Sequence, residues 1–299
     1  MSSVPYELIA ASKPFRFLVG PDKTEFMMHA DLVARMSKPL WTLVNGEFEE
    51  AKQNLAEWPD FDEGTFIRFC EFAYTGDYKA AEPCARAPTP PRLENSTLLL
   101  MKGPPKEPPE EPPEVPVPES AESFDDWGVW GTATKKSKKR NKGFSFEPPI
   151  PEDLAKDEMW QRFELAVGDE PNKKQKEERN ACPFYNYSEV LLSHAHLYVL
   201  ADYYAIDELM GLCVRKLHRT LKIFNLHGGE RVTDIAQLID YSYKNTLSKE
   251  GKPDKLRELL ATYVACKIEE LWPNVYFQDV LESGEISKVI IGKLLMRLK

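Results

Sequence analysis

The stretch His196-Leu197-Tyr198-Val199-Leu200-Ala201-Asp202-Tyr203-Tyr204-Ala205-Ile206, with Leu209 three residues on, decides how this chain is read. Within Glu189 to Tyr204, the residues Leu197, Tyr198, Ala201 and Tyr204 recur at helical spacing and share one face. Beyond a break at Ala205, a second set follows: Ile206, Leu209, Met210, Cys213, Val214 and Leu217. The i, i+3, i+4, i+7 pattern predicts a second helix, and a stripe this regular is read as a core face rather than a binding box. The two helices are expected to close a domain over 189–224.

Downstream, Gly228-Gly229 and Pro273 punctuate three further helical candidates: Val232 to Lys244, Pro253 to Leu271, and Phe277 to Leu298 with a break near Gly284. No repeat of solenoid period and no sustained heptad joins them, so 229–299 is expected to be a small helical module rather than a coiled coil.

Upstream, the opening of the chain has a different texture. Phe15 to Val19 reads as a strand, Gly20-Pro21-Asp22 as a turn and Thr24 to Met28 as a returning strand. His29 to Met36 and Lys38 to Asn45 read as short helices, with Ser37 able to cap the second and Pro39 acceptable in its first turn. Phe66, Phe69, Cys70 and Ala73 predict an amphipathic helix over Asp62 to Tyr74, capped by Asp60 or Asp62 and ended at Thr75-Gly76. Nothing is predicted ahead of Phe15. The first part of the domain is expected to span 15–80.

Between these parts, from about 81 to 188, periodicity largely vanishes. Twelve of the 24 prolines lie between Pro83 and Pro118, a density that no packed helix or sheet accommodates. A largely disordered insertion is expected, with Leu98 to Met101 as a short strand and Glu152 to Val167 as a short helix.

The chain has 299 residues, 42% hydrophobic content and a formal net charge of −9. That charge disfavours nucleic-acid binding, which needs a cationic face. Its five cysteines are scattered and odd in number, which fits neither a disulfide framework nor a CxxC metal site and suggests a reducing compartment. No apolar run reaches the roughly 18 residues of a membrane span, and Met1 to Lys13 carry no secretory signal. A cytoplasmic or nuclear protein that touches no membrane is expected. Neither GxGxxG nor GxxxxGK[ST] occurs, so no cofactor is expected. No nucleophile stands beside an evident base, which argues against an enzyme. His194 and His196 are the nearest approach to a metal pair, but i, i+2 residues on a helix diverge.

The insertion offers three possible partner sites. Lys102, Pro105 and Pro108 fit a basic-x-x-Pro-x-x-Pro polyproline ligand, against the plain alternative of a stiff solvated spacer. Trp127 and Trp130 lie in an acidic setting where aromatic anchors could dock a partner or fold back on the chain itself. Lys135, Lys136, Lys138, Lys139 and Arg140 belong to a run of six positive charges in eight residues, suited to nuclear import. The plain alternative is a solvated charge run, partly offset by eight acidic residues between Glu107 and Asp126.

Taken together, Phe15 to Gly20, Phe26-Met27-Met28-His29, Leu32-Val33, Ser37, Gly46 to Ala51, Asp62 to Tyr78 and the stretch from His196 to Leu209 resemble the BTB/POZ family, in particular its fungal members. The resemblance covers roughly Phe15 to Tyr78 and Glu189 to Leu221, well under half of the chain. It departs from the family at Ser37-Lys38-Pro39-Leu40-Trp41, and lacks both the acidic residue ahead of the first strand and the additional N-terminal helix with which some relatives dimerise. The resemblance implies an α+β fold: a small sheet covered by helices, split by the insertion and followed by the helical module. It further implies a protein–protein interaction adaptor or scaffold with possible self-association, which in some members recruits substrates to a cullin-type ubiquitin ligase. The alternative is a nuclear regulatory or assembly protein that docks partners through linear motifs in the insertion.

Overall fold

A computed structural model of the chain describes residues 6–85, 152–166, 185–248, 253–282 and 284–297. These residues form a mixed α+β unit, mainly helical, with one small three-stranded sheet. The expected strand at Leu98 to Met101 and all of the insertion's partner motifs lie outside the described residues.

The sheet begins with β1 (Pro14–Val19), where alternation sends Phe15, Phe17 and Val19 into the core with no exposure. Strand β2 (Thr24–His29) returns antiparallel, pairing Phe17 with Phe26 and Arg16 with Met27. The turn between them needs a left-handed residue, and Gly20 supplies it at φ +74°. A third strand, β3 (Leu55–Trp58), lies parallel to β1 on its other side, giving the order β2-β1-β3. Sequence reading did not place β3, because four residues are too few to establish an alternation.

Short helix α1 (Tyr6–Ala11) precedes the sheet and buries Ile9, although nothing was predicted ahead of Phe15. Helices α2 (Ala30–Ala34), α3 (Lys38–Asn45) and α4 (Glu49–Gln53) connect β2 to β3. The Ser37 Oγ accepts the Leu40 amide at 3.3 Å, which caps α3 as its sequence suggests. Helix α5 (Glu63–Thr75) buries Phe66, Phe69, Phe72 and Ala73, with Phe66 and Phe69 against the aromatics of the sheet. Its cap is Asp62, whose carboxylate accepts the Thr65 amide at 2.8 Å and the Thr65 hydroxyl at 2.6 Å. Gly76, at φ +75°, ends it.

The insertion leaves and re-enters the fold at one place. β4 (Cys84–Ala85) pairs antiparallel with β5 (Tyr185–Asn186), so the two ends of a stretch of about a hundred residues lie side by side. Helix α6 (Glu152–Leu165) agrees with the short helix expected there. Beyond β5 come α7 (Ser188–Tyr203) and α8 (Asp207–Ile223). Helix α7 packs against α5, α8 and α9 (Val232–Asn245). It is buried on nearly every side, from Leu191 through Ala195 and Leu197 to Leu200 and Ala201, as a helix that is apolar all round should be. Sequence reading gave it a single apolar face; α8 carries the one-sided stripe as expected, with Leu209, Cys213 and Leu217 buried.

The tail continues this layer. Helix α10 (Lys255–Leu271) packs on α9 and on α12 (Gly284–Arg297), and α11 (Val275–Leu281) bridges α9 and α12. Arg257, only 4% exposed, is the polar clasp of this region. Its guanidinium donates to the Thr246 Oγ1 at 2.9 Å, to the carbonyls of Tyr243 and Thr246, and to Glu285 at 2.6 Å. A charge so deeply placed is tolerated because almost every donor is used.

Candidate functional site

Two joints hold the sequence-distant segments 15–85 and 185–223 together, and both use a histidine of α7. At the inner joint the fully buried His194 faces Tyr78, with Nδ1 2.6 Å from the phenol oxygen. Burial, reinforced by Lys216 and Arg68 nearby, lowers the His194 pKa to about 3. The imidazole is therefore neutral, and its Nδ1 shares a hydrogen bond with the Tyr78 hydroxyl. Burial raises the Tyr78 phenol well above its ordinary value and pushes the adjacent Cys213 thiol up to about 12. Neither is poised as a nucleophile.

Around this pair, Lys216 of α8 donates to Asp77 at 2.6 Å and to the Tyr78 carbonyl, and its ammonium sits 4.6 Å from the centre of the Tyr78 ring. Arg68 of α5 donates to the Lys79 carbonyl at 3.2 Å, and the Ser193 hydroxyl accepts the Ala81 amide at 3.2 Å. Together these bonds tie the segment after Gly76 to α5, α7 and α8.

At the outer joint His196 is only partly covered and points elsewhere. Its Nδ1 lies 3.4 Å from the Asp62 carboxylate and its ring 4.4 Å from that of Tyr241 on α9. Burial opposes ionisation of Asp62, yet the hydrogen bonds from His196 and Thr65 outweigh it and hold the carboxyl well below the usual carboxylate range. The same residue thus caps α5 and ties it to α7 and α9. Among the described residues, no group of three or more His, Cys, Asp or Glu side chains converges to hold a metal ion. Cys70, Cys84, Cys213 and Cys266 are free thiols.

An aromatic wall completes the joint. The Trp58 ring of β3 stacks on that of Tyr204 with centroids 4.5 Å apart and planes 19° from parallel, and it also meets Phe17, Phe66 and Phe69. Phe61 and the 72% exposed Tyr203 extend the wall to the surface.

The exposed aromatics of the first segment are Tyr74, which meets His29, and two on or beside α3, Trp41 at 55% and Phe48 at 62% exposure. Both follow from local structure. Leu40 and Val44 turn inward on α3, which leaves Trp41 outward. A side chain at Gly46 would come within 2.4 Å of the Thr42 carbonyl, so only glycine allows the tight exit that places Phe48 beside the helix end. Trp41 lies where the resemblance breaks down, and its offset from the buried Leu40/Val44 face was a readable signal.

The anticipated partner residues Lys102, Pro105, Pro108, Trp127 and Trp130 lie outside the described residues, as do Lys135, Lys136, Lys138, Lys139 and Arg140. His29 is half-buried, with Nδ1 2.8 Å from the Tyr74 hydroxyl. Among the described residues no helix is long and apolar enough to cross a membrane. No family model, curated protein or solved structure matches the chain.

Proposed function

We propose that this chain is a non-enzymatic adaptor whose segments Phe15 to Tyr78 and Glu189 to Leu221 together make one BTB/POZ-like interaction domain. The observation that carries this reading is the pair of joints just described. Two stretches separated by about a hundred residues share a core, with a β2-β1-β3 sheet on one side of the Trp58/Tyr204 stack and the α7–α8 pair on the other. The functional groups of this core are consumed in holding the halves together: His194 by Tyr78, His196 by Asp62, Lys216 by Asp77. What remains for a partner is exposed surface, and Trp41 and Phe48 are of the type that anchors interfaces.

In this reading the partner for that face is the N-terminal domain of a cullin, and other parts of the chain capture a client. Fold analogy alone suggests the cullin, so its binding is the point to test. The experiment is a titration of purified full-length chain with a purified cullin N-terminal domain, with light scattering on the same samples. The expected result is saturable binding at micromolar affinity or better, about 8 kcal/mol or more, and a loss of at least tenfold in the Trp41→Ala/Phe48→Ala variant. No saturable binding by a monodisperse protein overturns the ligase reading and leaves the insertion's motifs as the route to a partner.

A further inference from the structure

Helix α6 belongs to the insertion by sequence, yet its C-terminal end is seated on α8 and α10. Phe163 is 1% exposed, with its ring 4.7 Å from that of His218 on α8 and 5.7 Å from that of Tyr263 on α10. Trp160 stacks on Phe163 at 5.2 Å and lies under the Lys267 ammonium of α10 at 5.0 Å. Residues three apart share one side of a helix, and the Trp160 Nε1 donates to Glu164 at 2.9 Å, which fixes the indole on that side. The buried His218 donates from Nε2 to the Phe163 carbonyl at 2.6 Å, reading the last turn of the seated helix through its backbone. The same carbonyl also accepts the Ala166 amide at 3.2 Å, the i+3 bond that tightens a last helical turn, so His218 reads a carbonyl at the very end of the helix.

Three features distinguish α6 from a permanent part of the core. It is flanked in sequence by 86–151 and 167–184, so no other described element is continuous with it. Leu165, two residues past the buried Phe163, is 81% exposed. The hydroxyl of the buried Tyr263, whose ring meets that of Phe163, has no hydrogen-bond partner among the described residues, a polar demand left unmet beside the seated helix.

We propose that the α8/α10 surface formed by His218, Tyr263 and Lys267 is a helix-binding groove, with α6 its resident ligand, and that it takes helices from protein partners bearing a Trp-x-x-Phe pair near their C-terminal end. Recognition combines two aromatic side chains at i and i+3, a cation over the indole and a hydrogen bond to a terminal carbonyl, the helix-in-groove mode of peptide binding. While α6 is tethered its effective concentration blocks the groove. The inference concerns a different surface from the cullin-facing one and holds whether or not a cullin binds.

The test uses a fluorescent peptide with the sequence of residues 150–167. Wild-type chain is expected to bind it at least 100-fold more weakly than full-length Trp160→Ala/Phe163→Ala, in which the resident helix has lost its anchors. A peptide carrying the same two alanines is expected not to bind, and adding His218→Ala to the variant chain is expected to weaken wild-type peptide binding at least tenfold. A cooperatively melting variant chain that fails to take the peptide overturns the proposal, as does equal binding by variant and wild type. Where the variant does not fold, the wild-type chain with a protease site on each side of α6 serves instead. After cleavage, α6 is expected to exchange with the labelled peptide, and an α6 that stays bound against excess peptide refutes an exchangeable groove.

Discussion

His194 and His196 stand two residues apart on one helix and live in different surroundings. One faces the interior, is kept neutral and shares a hydrogen bond with Tyr78; the other stays partly in water beside the Asp62 carboxylate and the Tyr241 ring. Their side chains diverge because a helix turns by about 200° in two residues. In an isolated sequence they look like a pair. In the fold they are separate fasteners, one dry and one wet, and the dry one should carry more of the stability because buried polar groups lose more when a partner is removed.

The sharpest break in that comparison is at Lys216. Lys216→Ala takes the ammonium away from the Asp77 carboxylate, which keeps its bond from the Tyr78 amide, and from a backbone carbonyl in a largely covered site, and is expected to cost about 2–3 kcal/mol by chemical denaturation, less than a fully buried pair because both groups retain some water. An equivalent cut at the outer joint, His196→Ala, should cost less than half as much.

Acid separates the joints next. The His194 pKa is lower in the folded chain, so from its ordinary value of 6.5 down to about 3 the unfolded chain takes up a proton that the folded chain refuses. Its contribution to stability is intact above pH 6.5 and lost as the pH falls, by at most about 1.4 kcal/mol per pH unit. In His194→Gln the stability curve between pH 6 and 4 is expected to flatten; an unchanged slope would remove His194 from the account. Asp62 is also held low, so its share is present above the ordinary carboxylate range and lost only at more acid pH. Asp62→Ala also removes the α5 cap, for an expected loss of about 1 kcal/mol at neutral pH.

The smallest effect lies between the two helices. Ala205 sits at φ +51°, in the left-handed position after α7 that normally favours glycine, and the Ile206 amide donates back to the Ala201 carbonyl at 2.8 Å. Relief of the Cβ strain outweighs the added chain entropy, so Ala205→Gly is expected to stabilise by about 0.5 kcal/mol. A measured destabilisation would mean that the turn relaxes in solution.

Much of this architecture was legible beforehand where a local signal was strong. Phe66, Phe69 and Ala73 announced α5, Ser37 and Asp62 announced caps that the structure uses, and Gly284 marked the break before α12. What stayed hidden depends on contacts between distant residues. The strand Leu55–Trp58 exists because β1 pairs with it, and the all-round burial of α7 reflects its place between α5, α8 and α9. Tyr78 and Lys216 lie 138 positions apart, so no spacing rule could join them. Trp41 and Phe48 were readable as sequence, but their exposure follows from which face of α3 turns inward.

The most direct measurement replaces residues 88–149 with a flexible Gly/Ser linker of about 20 residues, whose average span is roughly 25 Å, and titrates the shortened chain with a cullin N-terminal domain by calorimetry. If the two distant segments are one adaptor domain, the shortened chain unfolds in a single transition and binds within threefold of the full-length affinity. A shortened chain that no longer folds cooperatively, or a full-length chain that gives no binding heat, contradicts the account.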